Sequence, residues 1–306
     1  MIELRYLAFA ATLLYVRASA AQACCAGAGA IAPARLAVHE DALLGLRLRA
    51  ASVFGSFGKT GQYTAAPAGK HEWDFEQAVI GALRLLPRAQ VAVVAPLVET
   101  YRRADTSEFG GGIGDFNLSA RYDVVHAGES RWLPGIAALA GVTFPTGTSL
   151  ESADRPLATD ATGSGAFQGN AGVALERTAG PWLFGLTGLV AKRAQRTVAG
   201  MRSVLGTEWS FLAATAFTFP SDAALALLAS YTLEGEAERN GRAEPGTQRR
   251  LPQVTLAGVF PLDAQWRLQA AAFVAPPISD WGQNLPATTG ISLTLLRAWS
   301  RAPYCL

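Results

Sequence analysis

After residue 41 the sequence alternates apolar residues with small or polar residues in about twelve segments. The clearest segment is DFNLSARYDV, residues 115–124, in which the aromatic and aliphatic residues share one face of a strand and the polar residues share the other. The connections between the segments alternate between short and long. Antiparallel strands with an apolar outside, a polar inside and unequal connections are typical of a closed barrel in a bacterial outer membrane.

The alternation predicts an all-β, antiparallel transmembrane barrel of about twelve strands. The predicted strands cover residues 42–54, 74–86, 89–102, 115–127, 131–144, 165–177, 181–193, 206–219, 222–233, 248–261, 264–276 and 288–299. The short connections face the periplasm in such barrels, and an even number of strands leaves both termini there. Residues 42–299 form the predicted barrel, and residues 300–306 form a short tail.

Composition and the amino terminus agree with this location. Half of the residues are hydrophobic, yet no apolar run after residue 30 reaches the roughly 20 residues that a spanning helix needs. Arg5, the apolar run 6–16 and the sequence Ala21-Gln22-Ala23 form a signal-peptide pattern, which predicts that residues 1–23 are removed. A net charge of +2 is too small to indicate nucleic-acid binding, and no basic stripe interleaved with aromatic residues is present, so no nucleic-acid partner is expected. Residues 24–41 show no alternation, and form either a periplasmic extension or a plug.

The three cysteines are Cys24, Cys25 and Cys305. A disulfide is the commoner fate of cysteines in an oxidising compartment, so a bond from Cys305 to Cys25 or Cys24 is the leading hypothesis. Lipidation of Cys24 is the alternative, although Ala21 and Gln22 fit that signal poorly. A metal site is not expected, because no histidine accompanies these cysteines.

Aromatic residues support the barrel independently, because they concentrate at strand ends rather than strand centres. Such residues form girdles at the two membrane interfaces of outer-membrane barrels. The tryptophans of the predicted girdles are Trp132, Trp182, Trp266 and Trp299 beside the short connections and Trp209 at the opposite end.

The inward positions of the strands are the candidate functional residues. By alternation the lumen-lining candidates are Arg47, Arg49, Arg84, Asn117, Arg121, Asp123, Gln168, Asn170, Glu176, Glu208 and Arg267. Two interpretations remain open at this point: a packed polar network that fills a narrow barrel, or the lining of a solute pathway. In the second case the excess of arginine over acidic residues favours anionic solutes.

The sequence predicts no enzyme, and no cofactor or metal. It contains no G-x-S-x-G elbow, H-E-x-x-H helix or phosphate-binding loop. The three histidines, His39, His71 and His126, lie outside the strand ends that would carry a catalytic base at the cell surface. The glycines at 110–112 and 114 precede a strand rather than a helix, and are interpreted as a flexible loop end. An outer-membrane lipase is therefore the least favoured function.

The expected partners are outer-membrane lipid, lipopolysaccharide and a small solute. Arginines at the outer rim or in long loops are candidates for lipopolysaccharide phosphates, with ordinary solvated charges as the alternative. These arginines are Arg102, Arg103, Arg196, Arg202, Arg249 and Arg250.

Four stretches of the chain resemble the outer-membrane family named for the MetA pathway of phenol degradation. They are LRLLPRAQVAVVAP (83–96), GIGDFNLSARY (112–122), GVTFPTG (141–147) and GTEWS (206–210). The resemblance implies an outer-membrane protein linked to the uptake of small aromatic or hydrophobic compounds. Such solutes suit a lumen that also has apolar residues, for which the candidates are Ala92, Val94, Val98, Leu212 and Phe273.

The leading hypothesis from the sequence is a passive channel for small solutes. The second is a closed barrel that acts structurally or through its surface loops.

Overall fold

The computed structural model describes residues 28–300 except 31, 33 and 199. Twelve long strands form the wall: β1 Ala42–Phe57, β2 His71–Leu86, β3 Ala89–Arg103, β4 Phe116–Val125, β5 Gly135–Phe144, β6 Gln168–Ala179, β7 Trp182–Arg193, β8 Glu208–Thr218, β9 Ala224–Glu234, β10 Arg249–Pro261, β11 Trp266–Val274 and β12 Leu285–Trp299. Each strand pairs antiparallel with the next, and β12 pairs back onto β1 from Ala42–Trp299 to Phe57–Leu285. The sheet is therefore a closed barrel of twelve strands, which confirms the predicted fold class.

The barrel is apolar on its outside. Along β1, Leu44, Leu46 and Leu48 are each about half exposed, while the alternate positions Arg47 and Arg49 are turned inward and partly covered. A closed sheet with an apolar outer face satisfies its backbone internally and matches lipid, so this is a barrel of the bacterial outer membrane. No helix among the described residues is long and apolar enough to cross a membrane.

Tryptophans mark both edges of the apolar outer face. Trp182, Trp266 and Trp299 occupy outward positions beside the short connections, and Trp209 lies at the other end of β8. Trp132 lies in the connection 126–134 and is 83% exposed. The predicted strand 131–144 is wrong at its start, because Ser130 Oγ accepts hydrogen bonds from the main-chain N–H groups of Trp132 and Leu133 and holds them in a turn.

The long connections carry ordered structure at the extracellular end. Short strands are formed by Tyr63–Ala65, Ser107–Ile113, Arg196–Val198, Met201–Val204, Glu238–Arg239 and Arg242–Ala243, and Leu150–Ser152 forms one 3-10 turn. Four of these strands make a small second sheet that joins the loops after β7 and β9. The extracellular loops therefore support one another.

The glycine-rich segment is an ordered strand, so the expectation of a flexible loop end is wrong. Ser107–Ile113 pairs with β3 from Leu97–Ile113 to Arg103–Ser107. The loop 145–167 packs against this strand so closely that a Cβ on Gly110 would lie 2.4 Å from Thr159 Oγ1. A glycine is required at this position because the two segments touch.

Residues preceding β1 lie inside the barrel at its periplasmic end. Ala28 and Ala30 are buried against inward residues of β7 to β10, including Leu183 and Ala226. Leu36 is buried on the other side against inward residues of β1, β2, β3 and β12, including Ile80. We call residues 28–41 the interior segment. The predicted signal peptide, the three cysteines and residues 301–306 lie outside the described residues.

Candidate functional site

The interior of the barrel divides into an extracellular half that solvent reaches and a periplasmic half that the interior segment covers. In the extracellular half, Arg47 on β1 faces Glu76 on β2, with the guanidinium nitrogen 2.5 Å from the carboxylate oxygen. Their side chains remain 27% and 20% exposed although they lie on the inner face of the wall. Water therefore reaches charged groups inside the barrel.

A second charged cluster lies on the inner face of β6 to β10, near the extracellular end. Arg193 is 2.5 Å from Glu208 and 2.9 Å from Glu234. Its Nε donates a hydrogen bond of 2.8 Å to Gln168 Oε1, and Arg249 lies 3.8 Å from Glu234. The cluster has two arginines and two carboxylates, so its formal charges balance.

The mouth above β2 and β3 is narrowed by the loop 145–167. Arg102, on the inner face of β3, pairs with Glu72 at 3.1 Å and donates to the main-chain oxygens of Leu157 and Ala158 at 2.6 and 2.9 Å. Asp74 accepts a 3.0 Å hydrogen bond from the hydroxyl of Thr100 in the same wall. The loop is therefore fastened to charged groups of the lumen.

The periplasmic half contains the first set of contacts that hold the interior segment. Arg35 of the segment pairs with Glu176 on β6, and Glu176 also lies 3.2 Å from Arg121 on β4. Arg121 is 2.8 Å from Asp123, whose other oxygen lies 3.9 Å from His126 Nδ1. The arginines and carboxylates of this set are only 9–13% exposed, in contrast to Arg47 and Glu76.

The second set of contacts fastens the segment to β2 and β11. Glu40 pairs with Arg267, and Arg84 donates to the main-chain oxygens of Ala37 and Glu40 at 2.6 and 2.8 Å. Gln269 donates to the oxygen of Gly29 at 3.3 Å.

A further contact joins the segment to β3, where Gln90 Oε1 accepts a 3.2 Å hydrogen bond from the main-chain N–H of Leu36. Together the contacts reach four strands, β2, β3, β6 and β11, spread around the wall.

The structure places the predicted lumen residues in three groups. The first group holds the interior segment directly or through a neighbouring residue, and consists of Arg84, Arg121, Asp123, Glu176 and Arg267. The second group belongs to the charged clusters of the extracellular half, and consists of Arg47, Gln168 and Glu208. In the described part of the chain the third group contacts neither the segment nor these clusters, and consists of Asn117, Asn170 and Arg49. Asn117 donates to Thr143 Oγ1 at 3.0 Å, and Asn170 packs over Gly141. The guanidinium of Arg49 lies over the ring of Phe273, 4.6 Å from its centroid.

Sequence reasoning missed most of the acidic partners. Glu72, Asp74 and Glu76 alternate with the exposed Trp73 and Phe75 at the start of β2, so period-two alternation contained the signal. With these carboxylates included, the arginine excess that favoured anions largely disappears. Glu40 and Arg35 carried no such signal, because the segment before β1 does not alternate.

The described residues contain no group of three or more histidine, cysteine, aspartate or glutamate side chains that could hold a metal. His126 pairs with Asp123. The expectation that His71 lies outside the extracellular strand ends is wrong, because β2 begins at His71, where the side chain is exposed and the strand pairs with Arg103. Within the described part of the chain, no hydrogen bond joins either of these two histidines to a serine. The geometry of a serine nucleophile beside its base is thus not found at these positions.

Several solved structures are similar to this chain. A COG4313 outer membrane channel from Pseudomonas putida F1 matches with a TM-score of 0.69 at 14% identity, covering 85% of this chain and 96% of that one. The NanC porin matches with a TM-score of 0.47 at 8% identity, covering 83% and 99%. The translocator domain of the autotransporter NalP from Neisseria meningitidis matches with a TM-score of 0.45 at 11% identity, covering 97% and 95%.

No protein-family profile matches the chain, and no curated protein matches it. The first structural match fits the family resemblance of the four sequence stretches, but at 14% identity it shows the fold alone. The chain is an outer-membrane β-barrel of twelve strands whose wall resembles that of a solved channel.

Proposed function

We propose that this protein is a passive channel for small solutes across the outer membrane. The observation that carries the proposal is the solvent exposure of paired charges inside the barrel, above the interior segment. Arg47 with Glu76 and Arg102 with Glu72 keep 20–34% of their side-chain surface exposed although they point away from lipid. Charged side chains that line a water-filled path are how barrels of this type select solutes.

The interior segment sets the width of the periplasmic exit. Its contacts include the buried apolar side chains Ala28, Ala30 and Leu36, together with ion pairs and single hydrogen bonds. Each polar contact can be exchanged for water when the segment moves, which makes displacement far less costly than unfolding a strand of the wall. A solute that enters between the extracellular loops would thus leave past residues 28–41.

A closed, structural barrel is the second candidate. The specific observation in its favour is the coverage of the periplasmic half, where the wall residues Arg267, Glu176 and Arg121 are nearly buried. Transport and structural roles differ in one respect: only a channel passes solute.

Swelling of proteoliposomes in solutions of small sugars and of benzyl alcohol tests the proposal. The full mature chain is compared with a variant lacking residues 28–40 and with Arg88→Ala, which cuts an exposed ion pair to Glu129 in the periplasmic turns. We expect swelling with the full chain, faster swelling with the deletion and no change with Arg88→Ala. Folded protein that gives no swelling in either the full chain or the deletion would establish the closed barrel instead.

A further inference from the structure

We propose that Arg49, held over Phe273, binds the anionic group of small organic monocarboxylates inside the lumen. The inference deepens the proposed function, because it names a solute class and the residue that recognises it. The role of this site in transport rests on the proposed channel function. Binding of the ligand to the site does not, because binding can be measured without any solute flux.

Arg49 differs from other arginines inside the barrel in its lack of a hydrogen-bond acceptor among the described residues. The arginines that donate to a carboxylate or a main-chain oxygen are Arg35, Arg47, Arg84, Arg102, Arg121, Arg193 and Arg267. Among the described residues, the side chain of Arg49 has no hydrogen bond or ion pair. A guanidinium has five N–H donors, so this side chain keeps its donors for water or for a ligand.

The nearby acidic groups are engaged elsewhere. Glu76 contacts Arg47 at 2.5 Å, and Asp74 accepts the hydroxyl of Thr100 at 3.0 Å. Neither carboxylate lies within ion-pair distance of Arg49. Among the described residues no carboxylate therefore contacts Arg49, and unlike Arg84, which donates to main-chain oxygens, its guanidinium has no hydrogen-bond acceptor there.

The ring of Phe273 holds the side chain of Arg49 in position, and the absence of a side chain at Gly290 leaves room for that ring. Phe273 on β11 lies across Gly290 on β12, where a Cβ would be 2.6 Å from Phe273 Cζ. The ring thereby reaches toward β1, and the guanidinium of Arg49 lies 4.6 Å from its centroid. Such a cation–π contact holds the planar guanidinium in place without using its N–H donors.

The surroundings specify the class of ligand. A planar guanidinium can donate two parallel hydrogen bonds to one carboxylate, and its single positive charge balances the single negative charge of a monocarboxylate. The buried ring of Phe273 and the inward Ala271 on the same strand give this side of the lumen an apolar surface. A small monoanion with an aromatic or short aliphatic body fits both features, and benzoate is the simplest probe.

Benzoate binding to the detergent-solubilised mature protein, measured by saturation-transfer NMR titration, tests the inference. We expect Arg49→Gln to raise the dissociation constant for benzoate about tenfold or more, since it removes charged hydrogen bonds. Phe273→Leu is expected to give a smaller increase, because the guanidinium loses its support. Arg88→Gln is the control, because it removes an arginine of the exposed periplasmic turns outside the lumen, and it should leave binding unchanged.

Benzyl alcohol separates charge recognition from apolar contact, and its weak binding should not respond to Arg49→Gln. Absence of benzoate binding to the wild type, or equal binding to wild type and Arg49→Gln, would overturn the inference. Because this readout needs no transport, Arg49-dependent binding in a barrel that conducts nothing would reject the channel and leave the site standing.

Discussion

Removing Arg35 should loosen the interior segment without damaging the wall. In Arg35→Ala the segment loses its contact with Glu176, while Glu176 keeps Arg121 at 3.2 Å and is not left as an unpaired buried charge. The loss is then that of hydrogen bonding to a charged group, about 1.5–3 kcal/mol. Since about 1.4 kcal/mol corresponds to a factor of ten, the displaced form of the segment should become about 10- to 100-fold more populated.

The population of the displaced form can be read from thiol labelling at a buried position of the segment. Ala30 is only 6% exposed, so a cysteine there reacts with a polar thiol reagent only when the segment moves. With Cys24, Cys25 and Cys305 replaced by serine, Ala30→Cys should be labelled about 10- to 100-fold faster in the Arg35→Ala background.

Arg88→Ala is the control, because it also removes an arginine–glutamate pair but on the exposed periplasmic turns. The reasoning fails if Arg35→Ala leaves the labelling rate unchanged, or if Arg88→Ala raises it equally. Either result would mean that the segment is not held by the Arg35 contact.

Two further changes probe the loops and turns. Gly110→Val should free the loop 145–167 from its strand and make it protease-sensitive on intact cells, because the new side chain meets Thr159; the overpacking costs about 1–3 kcal/mol. Gly169→Val is its control, since no atom lies within 4 Å of a Cβ there. The hydrogen bond from Arg88 lowers the pKa of Glu129, so this pair stabilises the turns above the ordinary glutamate pKa and ceases to do so as pH falls through the lowered value. NMR titration should show the pKa of Glu129 rising in Arg88→Ala, and an unchanged pKa would contradict the assigned cause.

The wall of the barrel was predictable because its signal is local. Residues 115–124 alternate with period two, and one strand of an outer-membrane barrel needs lipid on one face and water on the other, so each segment carries its own evidence. The order of the strands follows from the short and long connections, since each strand pairs with the next.

The contacts that hold the interior segment inside the barrel were not predictable, because they join residues that are distant in sequence. Arg35 meets Glu176 across 141 positions, and Glu40 meets Arg267 across 227. The sequence around one residue of each pair does not indicate which residue is its partner. The requirement for a glycine at position 110 was not predictable for the same reason, because the loop that packs against it begins more than thirty residues later.

Single-channel recording in a planar bilayer tests the central claim most directly. The full mature chain should give discrete current steps in potassium chloride, and the variant lacking residues 28–40 should give larger steps or longer openings, because the covered half of the lumen becomes accessible. Folded, inserted protein that carries no current in either form would contradict the claim that this barrel is a channel.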